Sequence, residues 1–520
     1  MRKLKLVLTL VLIFVMVASL SACGGGKAKN TGKTIVMARP MDSDNLDPVI
    51  QDGNVNIWVF NLVMETLVKT DAEGTKNDLP GLATEWKVAP DKKSITFTLR
   101  QGVKFSDGTN MTADDVVFSL ERARTTKASP WLFALEAVEK TEKVDASHVK
   151  VSLKSEWSPI FADLAMFNVV ITSKAYFEKV GAQAYSQKPI GTGPFMFVEW
   201  KKGEYILLKR NPYYWQKGKP LVDEIKITVV PDDNTRIMQL QSGAIDMMEF
   251  VPFSRVVDIQ KDPNLNMILV PSTSTTYIGF NNSKPPFNDP KVRNAMAYGT
   301  DKAALIKTIL FGNGYEATSF MPKAGPMWNP NIKSKPYDAA KAKQMLAEAG
   351  YPDGFKTEIA INPARLNDVQ IATVLKDQWA RIGVELTVKQ LDAATLRTYT
   401  RGLQYQVSVG GWTNDIVDSS QITEYMTNPT VSRCFWTGWE VAKDSKQKQA
   451  FDLAVKAKSE LDNAKRQELY YQIQQLVDDD MPRIPIYHTP YLFATRKTIT
   501  GFVQTPLGNY WFENLDKVTK

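Results

Sequence analysis

Apolar residues occupy alternate positions in two well-separated stretches of the chain. One stretch is Ser94–Leu99 and the other covers residues 225–229. Successive side chains of a strand point to opposite faces, so a period of two predicts strands that bury one face only. We therefore expect two half-buried β-strands in these stretches.

Five further stretches repeat their apolar residues every three or four positions, which predicts amphipathic helices. Thr112 and Asp115 form a predicted capping box at the start of the first helix, and Asp338 is expected to cap the second. The predicted apolar faces are Val116, Val117, Leu120 and Ala123; Ala342, Met345, Leu346 and Ala349; Ile371, Leu375, Trp379 and Ile382; Phe451 and Val455; and Leu469, Ile473 and Leu476.

Strands and helices are interleaved along the chain. Gly383 ends the third helix, and a new alternation of Val384, Leu386 and Val388 follows at once. A helix that leads into a strand is typical of α/β architecture. No period of 20 to 50 residues recurs, so a solenoid or propeller is not expected. The predicted fold class is α/β.

The first residues predict a lipoprotein signal, residues 1–22. Three basic residues lie among the first five, and the apolar run 6–17 that follows is too short for a comfortable membrane span. The run leads to Leu20-Ser21-Ala22-Cys23, where small residues admit a signal peptidase and the thiol can accept a diacylglyceryl group. Residues 23–33 are expected to be a flexible tether. A plain signal peptide with an incidental cysteine is the alternative.

Size and composition predict a globular protein with several lobes. The chain has 520 residues, 43% of them hydrophobic, whereas single cores stop growing at about 250 to 300 residues. Beyond Cys23 the chain has only Cys434, so no disulfide framework is expected. Its 64 basic and 56 acidic residues are dispersed, which argues against binding of nucleic acid.

Six motifs follow one another between Pro80 and Arg293. They are Pro80-Gly81-Leu82-Ala83-Thr84-Glu85-Trp86, Phe105-Ser106-Asp107-Gly108-Thr109, Thr112-Ala113-Asp114-Asp115-Val116, Gly191-Thr192-Gly193-Pro194-Phe195, Arg210-Asn211-Pro212-Tyr213-Tyr214-Trp215 and Pro286-Phe287-Asn288-Asp289-Pro290-Lys291-Val292-Arg293. In this order and spacing they resemble the large peptide-binding proteins of ABC importers, also called family 5 solute-binding proteins. The resemblance spans nearly the whole mature chain.

The resemblance implies a two-lobed periplasmic-binding-protein-like fold of the class II, or cluster C, type. An extra domain is inserted into lobe I, and ligand is enclosed between the lobes. Lobe I is then expected to comprise residues 34–70, 191–276 and 488–520. The extra domain would be 71–190 and lobe II 277–487.

The stretch Trp412-Thr413-Asn414-Asp415 resembles the family segment whose tryptophan and first aspartate contact peptides. An enclosed carboxylate needs a cation, and the α-ammonium of a peptide supplies one. Asp415 is therefore the candidate ammonium ligand and Trp412 a candidate cover for the peptide, with Thr413 and Asn414 between them. A helix cap or a solvated loop is the alternative for Asp415, and core packing is the alternative for Trp412.

The resemblance adds three weaker candidates. Trp131 follows a Ser-Pro pair where the family carries an aromatic residue, and Asp52-Gly53-Asn54 matches a loop that hydrogen-bonds the peptide main chain. An ordinary surface turn predicts the same three loop residues. Arg365 lies near the place where dipeptide binders hold the ligand carboxylate, and its guanidinium suits that task. A solvated arginine at a helix start is the alternative.

Ligand class stays open because the sequence departs from the family pattern at Ile416 and Ser419. Relatives bind oligosaccharides, opines and metal chelates as well as peptides. We expect an extracytoplasmic, membrane-anchored binding protein that captures short peptides for an ABC permease and acts as a monomer. The alternative ligands are those non-peptide solutes.

No enzymatic, metal or cofactor role is expected. His148 and His488 are far apart in the sequence and belong to no ligand-spaced cluster. A secreted hydrolase with Asp415 and Asp418 as its carboxylate pair is the rival of a different class. No Gly-x-Ser-x-Gly or His-Glu-x-x-His motif accompanies that pair.

Overall fold

The computed structural model describes residues 32–51, 53–430, 437–439 and 445–518. The predicted signal, Cys23, most of the predicted tether, Asp52 and Cys434 lie outside these ranges. The strands are β1 (Thr34–Arg39), β2 (Val68–Lys69), β3 (Leu79–Pro80), β4 (Ala83–Val88), β5 (Ser94–Leu99), β6 (Val138–Lys143), β7 (His148–Leu153), β8 (Phe195–Lys201), β9 (Tyr205–Arg210), β10 (Glu224–Val229), β11 (Met247–Glu249), β12 (Leu265–Phe280), β13 (Tyr315–Glu316), β14 (Phe355–Ile361), β15 (Val384–Gln390), β16 (Val407–Thr413), β17 (Arg483–Arg496), β18 (Ile499–Thr500), β19 (Val503–Gln504), β20 (Tyr510–Trp511) and β21 (Asp516–Lys517). The helices are α1 (Asn54–Val63), α2 (Ala113–Thr125), α3 (Ile160–Leu164), α4 (Lys174–Tyr185), α5 (Asp233–Ser242), α6 (Val256–Lys261), α7 (Pro290–Tyr298), α8 (Lys302–Ile309), α9 (Ala339–Glu348), α10 (Leu366–Ala380), α11 (Ala393–Arg401), α12 (Ser420–Thr427), α13 (Lys446–Ser459) and α14 (Asn463–Asp480).

One mixed sheet runs through most of the molecule. Its strands follow the order β15-β14-β16-β12-β17-β11-β1-β10-β9-β8, and β13 pairs with β17. We call the part built on β8 to β11 and β1 the first lobe, and the part built on β14 to β16 the second lobe. Each lobe has its own large apolar core.

Two long antiparallel strands, β12 and β17, join the lobes. The first half of β12 pairs only with β17, whereas its second half also pairs with β16. Register shifts interrupt the β12–β17 ladder between Pro271 and Thr275 and again between Thr276 and Tyr277. Irregular pairing bends a strand and increases its local twist, so the connection between the lobes is bent where they meet.

A separate antiparallel sheet, β4-β5-β7-β6, lies within residues 71–190. The predicted strand Ser94–Leu99 is β5, and its three apolar side chains are buried against α2 and neighbouring segments. Thr112 and Asp115 form the predicted capping box at the start of α2. The exact domain bounds stay predictions.

The predicted helices of the second lobe are present, but one predicted face is wrong. Asp338 caps α9 through the backbone N–H of Lys341, and α10 buries the predicted apolar face. In α13, by contrast, Val455 is 52% exposed and the buried face carries Ala450, Ala454 and Ala457. Small alanines let α13 pack closely between α12 and α14, so the larger apolar residues point elsewhere.

Candidate functional site

Three parallel strands of the second lobe end at one edge of the sheet. β14 pairs in parallel with both β15 and β16. Arg365 follows the end of β14, α11 follows β15, and Asp415 follows β16. Ligands of α/β proteins bind outside the carboxyl ends of parallel strands. The sheet therefore gathers two of the predicted site residues, Arg365 and Asp415, at the edge where a ligand site is expected.

The Asp415 carboxylate is oriented by a glutamine of α12. The amide Nε2 of Gln421 donates to Oδ2 of Asp415 at 3.1 Å, and the backbone N–H of Asp415 donates to Oε1 of Gln421 at 2.6 Å. Burial, aided by the nearby Asp415 carboxylate, raises the pKa of Tyr491. An amide donor fixes a carboxylate in position and leaves its negative charge in place.

Asp418, rather than Asp415, serves the start of α12. Its Oδ1 accepts a hydrogen bond from the backbone N–H of Ser420 at 2.8 Å. Its two oxygens also accept from both guanidinium nitrogens of Arg466, at 2.6 and 2.8 Å. This buried ion pair ties the carboxylate into the core. Asp418 therefore makes the hydrogen bond to the start of α12 that the structure shows, and both of its oxygens are bound by Arg466.

Asn414 shapes the loop that carries Asp415. Its side chain is buried, and its Nδ2 donates to the carbonyls of Ile416 and Asp418 at 2.7 and 2.9 Å. Its own carbonyl accepts from Oγ1 of Thr273 at 2.6 Å. Thr413 ends β16 opposite Ser274. Ligand contacts of Thr413 and Asn414 stay predictions.

Trp412 lines a small apolar cavity of about 40 Å³ in the second lobe. Its ring centroid lies 4.0 Å from that of Tyr425 on α12, with the planes tilted by 47°. The other apolar walls are Phe320, Ile422, Met426, Val477, Met481 and Pro485. Trp412 is half-buried, so one part of its ring packs against the protein and another part bounds the cavity.

Arg365 lines a second, larger cavity of about 270 Å³. Arg397 and Arg401 of α11 and Arg483 of β17 line the same cavity. Tyr277 and Arg483 border both cavities, and the Arg483 guanidinium lies 4.7 Å from the Tyr277 ring centroid. A cationic compartment and an apolar compartment therefore adjoin. Of these four arginines, the sequence alone pointed only to Arg365.

The remaining candidates lie on the first-lobe side. Trp131 is 6% exposed, and its indole N–H donates to the carbonyl of Gln51 at 2.7 Å. Its ring packs edge-on against Phe167 at 5.0 Å. The structure thus brings Trp131 to the predicted loop, although most of its surface is core. Gly53 is the N-cap of α1 with φ −86°, a conformation open to any residue, and Asn54 begins the helix.

The loop after β16 also touches the first lobe. Ile416 is 2% exposed and belongs to the same apolar core as Trp131. Nδ2 of Asn77 donates to the carbonyl of Val417 at 3.1 Å, and the Tyr425 ring lies 5.5 Å from Phe133. The lobes are therefore in contact beside Asp415, an arrangement that encloses the space between them.

The two histidines lie in different surroundings. His148 lies on the surface against Asp145, whereas burial lowers the pKa of His488 to about 4 and its Nδ1 lies 3.0 Å from Oγ1 of Thr275. Within the described ranges, no three metal-ligating side chains cluster together. Among the described helices, none combines the length and apolar character needed to cross a bilayer.

Comparison with known proteins adds the family. The model of "Bacterial extracellular solute-binding proteins, family 5 Middle" matches residues 79–433. The chain is 31% identical to Heme-binding protein A of Haemophilus influenzae, over 84% of this chain and 83% of that protein. It is 30% identical to the dipeptide-binding protein of Escherichia coli, over 85% and 86% of the two chains.

A solved structure has the same fold. The periplasmic binding protein DppA of Helicobacter pylori, in complex with the peptide STSA, superposes with a TM-score of 0.79 at 26% identity. The match covers 93% of this chain and 98% of that one. The predicted two-lobed α/β fold with its inserted extra domain is confirmed. With a site at the strand ends, two touching lobes and a matching family model, the chain belongs to the bacterial extracellular solute-binding proteins of family 5.

Proposed function

We propose that this protein captures short peptides between its lobes and delivers them to the permease of an ABC importer. The observation that carries the proposal is the placement of a carboxylate, Asp415, and a guanidinium, Arg365, at one sheet edge. A peptide is a zwitterion with an ammonium at one end and a carboxylate at the other. Charge-assisted hydrogen bonds to both ends recognise it whatever its side chains.

The apolar cavity beside Trp412 supports the same proposal. It lies next to the segment that carries Asp415, so a peptide held by its ammonium can place an apolar side chain against the cavity wall that Trp412 and Tyr425 form together. The similarity to a dipeptide-binding protein and to a protein solved with a bound peptide also supports a peptide ligand.

Closure of the lobes is proposed to couple binding to delivery. A ligand that touches both walls stabilises the closed form by its greater affinity for that form. The contacts of Ile416 and Tyr425 with the first-lobe side would then accompany ligand capture. We propose that the permease recognises the closed form.

Anchoring is proposed from the sequence. Residues 1–22 would direct export, Cys23 would carry the lipid, and the following tether would hold the folded body at the extracytoplasmic face of the membrane. A single acyl chain gives only marginal binding to a bilayer, whereas two or more chains anchor stably. A diacylglyceryl group meets that requirement.

Calorimetry with ligand-free protein tests the proposal. Titration with di-, tri- and pentapeptides is expected to give binding at one or more of these lengths. The Asp415→Asn variant should bind about 10 to 150 times more weakly, because a hydrogen bond to a charged group contributes about 1.5 to 3 kcal/mol. Asp452→Asn is the matched control, since Asp452 lies exposed on α13. Absence of binding by every peptide, or equal affinities of both variants, would contradict the proposal.

A further inference from the structure

A third cavity, of about 280 Å³, lies where the two lobes meet, and we call it the junction cavity. Asn367 of α10, two residues after Arg365, lines it from the second lobe, whereas residues of α1 and of the segment after β11 line it from the first. No charged side chain is among the described residues that line it, and half of them are aromatic: Trp58, Phe250, Phe253, Tyr491 and Phe493. A ligand group held in the junction cavity would therefore touch both lobes and several aromatic rings.

The junction cavity adjoins the loop that carries Asp415. Oγ1 of Thr273 donates to the carbonyl of the residue before Asp415 at 2.6 Å. Oγ of the neighbouring Ser272 donates to the carbonyl of Thr489, which lines the cavity. Burial raises the pKa of the Tyr491 hydroxyl, and the Asp415 carboxylate lies near enough to add to the shift. One lining residue is thus two positions from one charged candidate of the site, and another is within reach of the charge of the other.

Phe250 has an unusual backbone conformation at the wall of this cavity. Its φ of 52° lies in the left-handed region, where the β-carbon of a bulky residue crowds the following carbonyl oxygen. Phe311 has a similar φ of 49°, but it follows the C-cap of α8, and left-handed backbone is common after a helix end. Phe250 instead follows a strand, β11, so no helix end accounts for its conformation. Residues strained in this way cluster at ligand-binding positions.

Core packing accounts for Trp58 but not for Phe250. Trp58 is 3% exposed, and its ring lies 5.0 Å from the Tyr510 ring and 5.3 Å from the Phe250 ring, tilted to both. Phe250, by contrast, is 39% exposed, and Tyr491 is half-buried. A strained phenylalanine with so much exposed surface adds little to the core, because the hydrophobic contribution is proportional to the area buried. The rings of Phe250 and Tyr491 therefore leave apolar surface at the cavity, backed by the fixed ring of Trp58.

We infer that the natural ligand carries an aromatic ring, which the junction cavity holds between Trp58, Phe250 and Tyr491. Ring faces and ring edges carry opposite partial charges, so tilted rings favour another ring over an aliphatic group of the same size. Pockets for whole drug-sized ligands measure about 300 to 1,000 Å³, so a slightly smaller cavity suits one part of a ligand. The inference rests on the proposed function for the charged ends of the ligand, but it concerns a ring rather than the peptide backbone.

Matched dipeptides test the inference. The full-length protein, purified in detergent and freed of ligand, is titrated with Phe-Phe and with the dipeptide of cyclohexylalanine, whose rings have a similar size but no π face. Phe-Phe should bind about two to twelve times more tightly, because aromatic pairs are stabilised beyond their buried area. In Phe250→Leu, which stays apolar, the ratio of the two affinities should fall towards one. Phe311→Leu, at an exposed left-handed position that lines none of the three cavities, should keep the wild-type ratio.

A second variant and a second pair of ligands complete the test. Asparagine tolerates a left-handed backbone, so Phe250→Asn removes the ring without added strain and should also lose the preference, even if Phe250→Leu disturbs the fold. The amines 2-phenylethylamine and 2-cyclohexylethylamine each carry an ammonium and a ring but no peptide bond. Titration of this pair into wild type and the two Phe250 variants measures recognition of the ring without a peptide.

The outcomes distinguish the ring inference from peptide capture. Equal affinities for the two dipeptides in wild type, or a preference that survives in both Phe250 variants, would overturn the ring inference and leave peptide capture standing. Silence towards every peptide, with a preference for 2-phenylethylamine that depends on Phe250, would sustain the ring inference and overturn peptide capture. Silence towards all of these ligands would overturn both.

Discussion

The two walls of the candidate site differ in what they offer a ligand. On the first-lobe side, Trp131 is mostly buried, and its one polar hydrogen is bound by the Gln51 carbonyl. On the second-lobe side, Arg365 and Asp415 follow the ends of two strands; Arg365 lines the larger cavity, and Asp415 lies three residues beyond Trp412, which lines the smaller one. The second lobe therefore carries the charged side chains and the cavities, whereas the first-lobe side carries a preformed, mostly buried surface.

The largest expected effect concerns the support of the second-lobe wall. Arg466→Met leaves the buried Asp418 carboxylate without the guanidinium that binds both its oxygens. Loss of one partner of a buried ion pair costs about 3 to 5 kcal/mol. Thermal unfolding should show a markedly lower midpoint than in wild type. An unchanged midpoint, like that expected for the exposed control Arg381→Met, would show that the pair does not hold the loop.

A buried carboxyl in the first lobe should make stability depend on pH. Burial raises the pKa of Glu249 to about 7, although Arg39 and a hydrogen bond from Tyr510 oppose the shift. The folded state therefore holds this proton more strongly than the unfolded state, where the pKa is about 4.5. The stabilisation of the folded state by this proton is complete below about pH 4.5 and is lost as the pH rises to about 7.

The size of the pH-dependent contribution of Glu249 follows from the shift of its pKa. The free energy of unfolding should fall by about 3 kcal/mol across this window because of Glu249. Denaturation with urea from pH 4.5 to 8 measures the dependence. Glu249→Gln should flatten it, and an identical slope in the variant would contradict the assignment.

The two tryptophans are expected to respond differently to substitution: Trp131 mainly in stability, and Trp412 mainly in peptide binding. Trp131→Phe removes the bond to the Gln51 carbonyl and should lower the free energy of unfolding by about 1 to 3 kcal/mol, with little loss of peptide affinity. Trp412→Ala should weaken binding about tenfold or more, because it removes a wall of the apolar cavity. Thermal unfolding and binding calorimetry of both variants test this contrast. A clear loss of peptide affinity in Trp131→Phe with unchanged affinity in Trp412→Ala would contradict it.

The smallest expected effect is at the contact between the lobes. Nζ of Lys458 lies 2.5 Å from Glu424 and 3.0 Å from Glu136, which belongs to the first-lobe side. Glu136→Gln should favour the open form and weaken binding by about two- to fivefold, since the Glu136 carboxylate is 42% exposed and part-exposed ion pairs contribute about 1 kcal/mol or less. Small-angle scattering without ligand should show a slightly larger radius of gyration. Glu142→Gln, at another exposed glutamate away from the contact between the lobes, is the control.

Much of the fold was accessible from the sequence because its signals are local. The capping box at Thr112, the cap at Asp338 and the alternation in β5 depend on residues within a few positions of one another. The exposed Val455 was misassigned because closely packed alanines, rather than larger side chains, form the buried face of α13.

The candidate site was only partly accessible. Asp415 and Arg365 were found through a resemblance, and the parallel strands explain why they share an edge. Arg397, Arg401 and Arg483 were missed because residues from separate segments meet only after the sheet has formed. The spacing of Arg397 and Arg401 on a helix that follows a strand was the one local signal.

The central claim is that Asp415 binds the ammonium of a peptide, and a double-mutant cycle tests it most directly. Calorimetry would compare wild type and Asp415→Asn, each with a peptide and with its N-acetylated form. The account predicts that acetylation weakens binding to wild type but hardly affects the variant, a coupling of about 1.5 to 3 kcal/mol. Additive effects of the two changes, with no coupling, would contradict it.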